Sequence, residues 1–200
     1  MWHSAVKGGF AMLVGTAVAS SVASDATDAS GWQAVRLLAA QVLQATPDAV
    51  EITPMPRLNM RGNCLLFTAR QRQLLDGPVF AYAVLPDHTV IGPHEQGSAT
   101  QVLRVCGEGA DAHWWANVVS RFADAGGMLV DEHAPSVTRR IKASGATDHH
   151  PVMERTAAST VVTFYTHDYA LNQTWRVTAT LASRGELTID KQALNPSSPP

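Results

Sequence analysis

The segments Thr174–Leu181 (TWRVTATL) and Glu186–Lys191 (ELTIDK) decide the fold of this chain. Apolar and polar side chains alternate along both segments, and this period of two is typical of strands with one buried face. The register that places Leu181 opposite Leu187 leaves a three-residue turn ending at Gly185, which supplies the left-handed residue that such a turn needs. The sequence therefore predicts an antiparallel hairpin near the C-terminal end of the fold.

Helices and strands elsewhere come in blocks rather than in strict alternation, which favours an α+β fold with a mostly antiparallel sheet packed by about four helices. Caps, glycines and prolines set the bounds of these segments. The predicted helices run from Ser30 to Thr46, Ala99–Cys106, Ala112–Ala125 and Pro135–Ser144, and the predicted strands before the hairpin are Val50–Thr53, Cys64–Ala69, Val79–Leu85, Thr89–Ile91, Met128–Asp131 and Thr160–Thr166. The segment 146–159 is predicted to be a loop.

The order of these elements places a helix across a curved antiparallel sheet. In this respect the chain resembles the cystatin-like and nuclear-transport-factor-like folds. The resemblance rests on element order and carries no sequence motif, so it implies an architecture and no activity.

The N-terminal 23 residues have the layout of a secretory signal peptide. A single cation, Lys7, precedes an apolar stretch, and small-x-small sites predict cleavage after Ala19 or Ala23. The alternative is an uncleaved membrane anchor, but the apolar run is shorter than the roughly 18 residues that a spanning helix needs. We expect a signal peptide (1–23), a linker (24–30), one α+β domain (31–195) and a disordered tail (196–200). The predicted destination is secretion or the periplasm, with no stable membrane span after processing.

The charge balance disfavours polyanionic partners. The chain carries 15 Lys and Arg against 17 Asp and Glu, and Lys7 leaves with the signal peptide. A near-neutral, slightly acidic surface lacks the basic patch that binds nucleic acid.

The two cysteines, Cys64 and Cys106, predict a disulfide, since an exported chain meets an oxidising environment. Closing the loop between them contributes roughly 4 kcal/mol to stability in the chain-entropy account. Helical spacing puts Cys106 on an apolar helix face that points toward the sheet carrying Cys64.

His113 and Trp114 open the third predicted helix, and we interpret them as a candidate binding surface. Trp115 belongs to the apolar stripe, whereas Trp114 lies about 100° away around the helix. Trp114 then either covers the start of the helix or stands exposed as a binding anchor. The positive end of the helix favours a neutral His113, the state that suits a general base.

Two further groups complete the set of candidate residues. Adjacent residues Asp148, His149 and His150 are the densest cluster of metal-binding side chains, and we interpret them as a solvated polar loop because no spacing links them to a further ligand. His167-Asp168-Tyr169 lies between two strands, where the polarity of a turn accounts for the residues better than a catalytic pair does.

Two partial motifs lead to no cofactor prediction. Gly107–Ala112 matches G-x-G-x-x-A, but helical spacing precedes it where the dinucleotide fingerprint requires a strand. His94-Glu95 begins a zinc motif whose second histidine is replaced by Ser98. We therefore expect no nicotinamide cofactor and no stoichiometric transition metal.

These observations favour an exported binding protein without catalytic activity. Its partner would be another protein, such as an enzyme that it inhibits, or a small apolar ligand held between helix and sheet. The alternative is a small hydrolase that uses His113 or the His167-Asp168 pair for acid–base chemistry. Convergence of these histidines on one cleft would favour the enzyme.

Overall fold

The computed structural model describes residues 19–59, 63–74, 76–93, 96–130, 135–146 and 148–194, with side-chain surroundings from residue 31 onward. Most of the predicted signal peptide, the His94-Glu95 pair and the predicted tail lie outside these residues. Over the described part the chain forms five helices and nine strands, which confirms the α+β class. None of the described helices combines the length and the apolar character that crossing a membrane requires.

The N-terminal half builds an antiparallel sheet behind a long helix. Helix α1 (Ala19–Val42) comes first, and the first sheet then follows in chain order. Its strands are β1 (Val50–Pro54), β2 (Leu65–Gln71), β3 (Phe80–Val84) and β4 (Val90–Ile91), with the short helix α2 (Pro56–Asn59) between β1 and β2.

Two helices lead from the first sheet to the second. These are α3 (Ser98–Cys106) and α4 (Ala112–Phe122). The second sheet contains β5 (Met128–Leu129), β6 (Val152–Arg155), β7 (Ser159–Asp168), β8 (Gln173–Ala182) and β9 (Leu187–Leu194), and α5 (Pro135–Ala143) lies between β5 and β6 in the chain. All pairings are antiparallel, and β5 and β6 share the edge of β7 that β8 leaves free.

The C-terminal hairpin has the predicted register. Leu181 lies opposite Leu187, and the backbone N–H of Ala182 donates to the carbonyl of Glu186 at 2.8 Å. Gly185 has a φ of 90°, the left-handed conformation expected at this position. The alternation of side chains and the turn residue together fixed this part of the fold.

Each sheet is covered on both faces, but to different extents. One face of the first sheet packs on α1 through Val35 and Ala39, which are fully buried. Its other face and one face of the second sheet share a large core with α3 and α4. The remaining face of the second sheet is covered in part by α5, where Val137 and Ile141 pack on Tyr165.

The disulfide between Cys64 and Cys106 is confirmed. It ties the last residue of α3 to the residue before β2, and both cysteines are buried. The bond therefore holds α3 against the first sheet on the core side.

Several predictions of local structure were wrong. The first helix begins at Ala19 rather than after Ser30, because no proline or glycine interrupts 19–30 and the helix runs through the predicted linker. The predicted loop 146–159 contains β6, which pairs along β7 and is anchored by a 2.7 Å hydrogen bond from Arg155 Nη2 to the Ala110 carbonyl. Trp175, one of the alternating apolar residues of the predicted hairpin, is half-buried rather than buried. The described strands form two sheets, whereas the resemblance implies a single curved sheet.

Candidate ligand-binding site

Helix α4 begins at a side-chain cap and is covered on most of its circumference. Asp111 is the N-cap, and its Oδ1 accepts a 2.9 Å hydrogen bond from the backbone N–H of Trp114. The helix lies between the two sheets and also packs against α3, so seven of its eleven residues are buried. Because α4 packs against both sheets and α3, the part of its surface that these elements leave uncovered is a candidate site.

One polar stripe of α4 borders an open cleft. The stripe consists of His113, Asn117, Ser120 and Arg121, whose spacing of i, i+4, i+7 and i+8 keeps them on one side of a helix. We call the space beside it the α4 cleft. It has a volume of about 820 Å³, within the roughly 300–1,000 Å³ of small-molecule sites.

The other walls of the α4 cleft are mainly apolar. The first sheet contributes Phe80 and Ala81, and Val79 lies at the start of this wall. Met128 and Leu129 of β5 contribute apolar side chains from the second sheet. Val79 and Met128 are 55% and 60% exposed, which leaves apolar surface uncovered beside the cleft.

A tight turn after α4 shapes the cleft wall. Gly126 and Gly127 both have positive φ, and a Cβ at Gly127 would lie 2.5 Å from the carbonyl oxygen of His167. Only glycine therefore allows β5 to approach β7 so closely. Beside this turn, Lys191 Nζ donates to Asp124 Oδ2 at 2.9 Å, and this hydrogen bond is the main reason that the pKa of Asp124 is lowered.

Arg121 is the unusual residue of the α4 cleft. Its Nε atom is buried and has no hydrogen-bond partner, and its side chain forms no hydrogen bond or ion pair with any described residue. Burial lowers the pKa of Arg121, yet a guanidinium stays charged at neutral pH in proteins. An unpaired, partly buried charge is costly, and an anion in the cleft would remove that cost.

Two other side chains of the stripe, those of Asn117 and Ser120, have hydrogen-bond partners inside the helix. Asn117 Nδ2 donates to the His113 carbonyl at 3.0 Å, and Ser120 Oγ donates to the Asn117 carbonyl at 3.0 Å. Arg121 alone brings an unmatched charge to the cleft.

Trp114 is not an exposed anchor. Its side chain is 0% exposed and lies in the large core with Trp115 and Phe122. The exposed alternative assumed one buried helix face, whereas the two sheets cover α4 from both sides. His113, its neighbour, is exposed and borders the α4 cleft as well as a smaller hollow beside α2.

His167 and Asp168 are the last residues of β7, and Tyr169 begins the turn to β8. His167 is buried, and its Nδ1 lies 2.9 Å from Thr174 Oγ1. Burial is the main cause that lowers the pKa of His167. Asp168 accepts hydrogen bonds from the backbone N–H groups of Ala170 and Leu171, so it orders the turn between β7 and β8.

The remaining candidates occupy other places. Tyr169 is 64% exposed beside the ring of His167. Asp148 and His150 line a second cleft of about 510 Å³ on the α5 side of the second sheet, and His149 adjoins them. Among the described clefts, none is lined by both His113 and His167.

The glycine motif Gly107–Ala112 connects two helices. It follows α3 and leads into α4, as the helical spacing before it predicts. The element immediately before it is a helix rather than a strand, so its backbone lacks the strand–turn–helix context of a dinucleotide site.

Sequence reasoning missed Arg121, Asn117 and Ser120. Their spacing marks one side of α4, but a polar stripe on a helix normally faces solvent. The exposed apolar surface at Val79 and Met128 marks the site in the structure, but the sequence gives no signal for it, because only the fold brings these residues beside the stripe.

Comparisons of the chain with family models, with curated proteins and with solved structures find no match in any of the three.

Proposed function

We propose that this protein is an exported, disulfide-bonded binding protein whose α4 cleft holds a small amphipathic anion. The ligand would carry an acidic head group and an apolar chain, as a fatty acid does. This proposal refines the sequence-based expectation of a small apolar ligand between helix and sheet.

Arg121 is the observation that carries the proposal. Its guanidinium Nε is buried without a partner in a cleft with apolar walls. A carboxylate would pair with this guanidinium, and an alkyl chain attached to it would contact the walls. Hydrogen bonds to charged groups contribute about 1.5–3 kcal/mol each. The apolar chain would cover Val79 and Met128, which gain from leaving water.

Export rests on the layout of the N-terminal residues and is compatible with the Cys64–Cys106 disulfide. Secretion or transfer to the periplasm would give the oxidising environment in which such a bond persists. The hydrolase alternative lacks support, since its candidate histidines line no common cleft among those described.

The test is equilibrium binding by calorimetry with straight-chain carboxylates from octanoate to hexadecanoate and the matching alcohols. We expect wild-type protein to bind a carboxylate of this series more tightly than its alcohol. Arg121→Met, which keeps an apolar side chain and removes the charge, should weaken carboxylate binding by roughly 10- to 100-fold and leave alcohol binding nearly unchanged.

Arg184→Met is the matched control, because Arg184 is 83% exposed in the turn between β8 and β9. It should bind like the wild type. Without ligand, Arg121→Met should unfold with a free energy that is unchanged or raised by up to about 1 kcal/mol, since an unpaired charge is lost. The proposal is wrong if no carboxylate binds, or if acid and alcohol bind equally well to the wild type and to Arg121→Met.

A further inference from the structure

The loop after α5 gathers three metal-binding side chains around one point. One ligand atom from each of Asp148, His149 and His150 lies within 4.8 Å of the other two. Asp148 Oδ1 lies 3.7 Å from His149 Nδ1 and 3.8 Å from His150 Nε2. Both distances exceed the roughly 2.7–3.2 Å of an N–H···O hydrogen bond, so neither gap is closed by one.

The same distances are close to those of a metal site. In a tetrahedral site with ligand bonds of about 2.0–2.2 Å, the ligand atoms lie about 3.4 Å apart. The separations of the carboxylate oxygen from the two imidazole nitrogens, 3.7 and 3.8 Å, exceed that value by only a few tenths of an ångström. The three side chains are therefore gathered around one point before any ion binds.

Local contacts hold this arrangement. Asp148 Oδ1 accepts hydrogen bonds from the backbone N–H groups of His149 at 2.7 Å and His150 at 3.1 Å. The two imidazole rings lie 4.4 Å apart at 31°. The His149 side chain is only 15% exposed and its Nε2 is buried, which leaves Nδ1, the nitrogen nearer the carboxylate, to bind an ion.

The space between these three side chains is also accessible from solvent. The side chains of Asp148 and His150 are 58% and 53% exposed, and both line the 510 Å³ cleft on the α5 side of the second sheet. Glu154 and Arg176 line the same cleft. A bound ion could therefore keep open positions for water or for a further ligand.

We propose that Asp148, His149 and His150 form a site for a divalent transition-metal ion with one carboxylate and two imidazole ligands. Imidazole favours Zn²⁺, Cu²⁺ and Ni²⁺ over Mg²⁺ and Ca²⁺, which prefer oxygen ligands alone. The structure thus changes the interpretation of these residues as a solvated loop. The site lies apart from the α4 cleft and does not depend on its proposed ligand.

The test is calorimetric titration of the full, tag-free chain with zinc sulfate. Wild-type protein should bind one Zn²⁺, and the double variant His149→Ala/His150→Ala should bind it more than about tenfold more weakly. His88→Asn is the matched control: His88 is exposed with a φ of 66°, a conformation that asparagine tolerates, and its loss should leave zinc binding unchanged.

His150→Ala alone keeps the test decisive if the double variant folds poorly, because His150 is the more exposed ring. X-ray absorption of the zinc complex should show nitrogen and oxygen ligands and no sulfur. Absence of zinc binding by the wild type, or equal binding by wild type, His150→Ala and the double variant, would overturn the proposal.

Discussion

The two flanks of α4 differ in what they contribute. The core flank, formed by Trp114, Trp115, Val118 and Phe122, is buried between the two sheets. The cleft flank, formed by the stripe from His113 to Arg121, borders open volume and contains a guanidinium Nε without a partner. One short helix thus has a buried side that stabilises the fold and an open side on which a charged group lacks a hydrogen-bond partner.

The difference separates stability from binding. Side chains packed on the core flank gain from burial and contact, so replacing them costs stability. An unpaired charge adds no stability to the fold. Ionisable groups in such unfavourable surroundings cluster at functional sites, where a ligand can pair with them. Variants on the two flanks should therefore have opposite effects on unfolding and on ligand affinity.

Trp114→Ala should give the largest loss of stability. Trp114 is fully buried, so removing its indole leaves a cavity, and we expect the free energy of unfolding to fall by about 3–5 kcal/mol. Urea denaturation measures this change. Trp114→Phe is the comparison variant, because it keeps an aromatic ring in the core while it removes part of the indole and an N–H that has no hydrogen-bond partner.

A Trp114→Ala protein as stable as the wild type would contradict the assignment of Trp114 to the core flank. A smaller loss in Trp114→Phe than in Trp114→Ala would show that packing dominates at this position.

Removing the disulfide should have the next largest effect. The bond closes a long loop with a sequence separation of 42, so Cys64→Ser/Cys106→Ser should lose up to about 4 kcal/mol. Neither cysteine lines the α4 cleft, and carboxylate affinity in the folded protein should be retained. Urea denaturation with and without reductant checks this, because reductant should destabilise the wild type and leave the double variant unchanged.

Much of this fold follows from local sequence signals. The hairpin around Gly185, the start of α4 at Ala112 and the spacing of α3 each depend on neighbouring residues, and all three were predicted. The start of α1 was missed because the capping pattern at Ser30 competes with an uninterrupted helix-forming stretch. β6 was missed because a short strand is stabilised by its pairing with β7 rather than by its own composition.

The candidate site was harder to predict, because it depends on tertiary packing. The sequence marks His113, and it lies at the α4 cleft. It does not mark Arg121, because polar residues on one side of a helix have the same spacing whether that side faces solvent or lines a cleft. The exposed alternative for Trp114 is wrong, and the sequence could not exclude it because the packing of the second sheet on α4 is a long-range contact.

The buried His167 should give the smallest effect, visible as a pH dependence. Its pKa in the folded protein is lowered, mainly by burial, so the unfolded chain binds the proton more readily. Its contribution to stability is present above the ordinary histidine pKa of about 6.5 and is lost as the pH falls through the lowered pKa.

In His167→Gln, the free energy of unfolding should therefore fall less steeply between pH 7 and pH 5 than in the wild type. Urea denaturation at several pH values checks this, with His113→Gln as the exposed control on the cleft flank. An equally steep fall in His167→Gln and in the wild type would contradict the account of this histidine.

The most direct test of the two-flank account observes the Arg121 Nε–H itself. In protein labelled with ¹⁵N-arginine, the side-chain resonance that disappears in Arg121→Met identifies this group. On titration with decanoate, the account predicts that the Arg121 Nε–H proton moves downfield as it gains a carboxylate partner, while decanol leaves it nearly in place. Binding of decanoate that leaves this resonance unmoved, or that shifts another arginine instead, would contradict the claim that the cleft flank of α4 is an anion-binding surface.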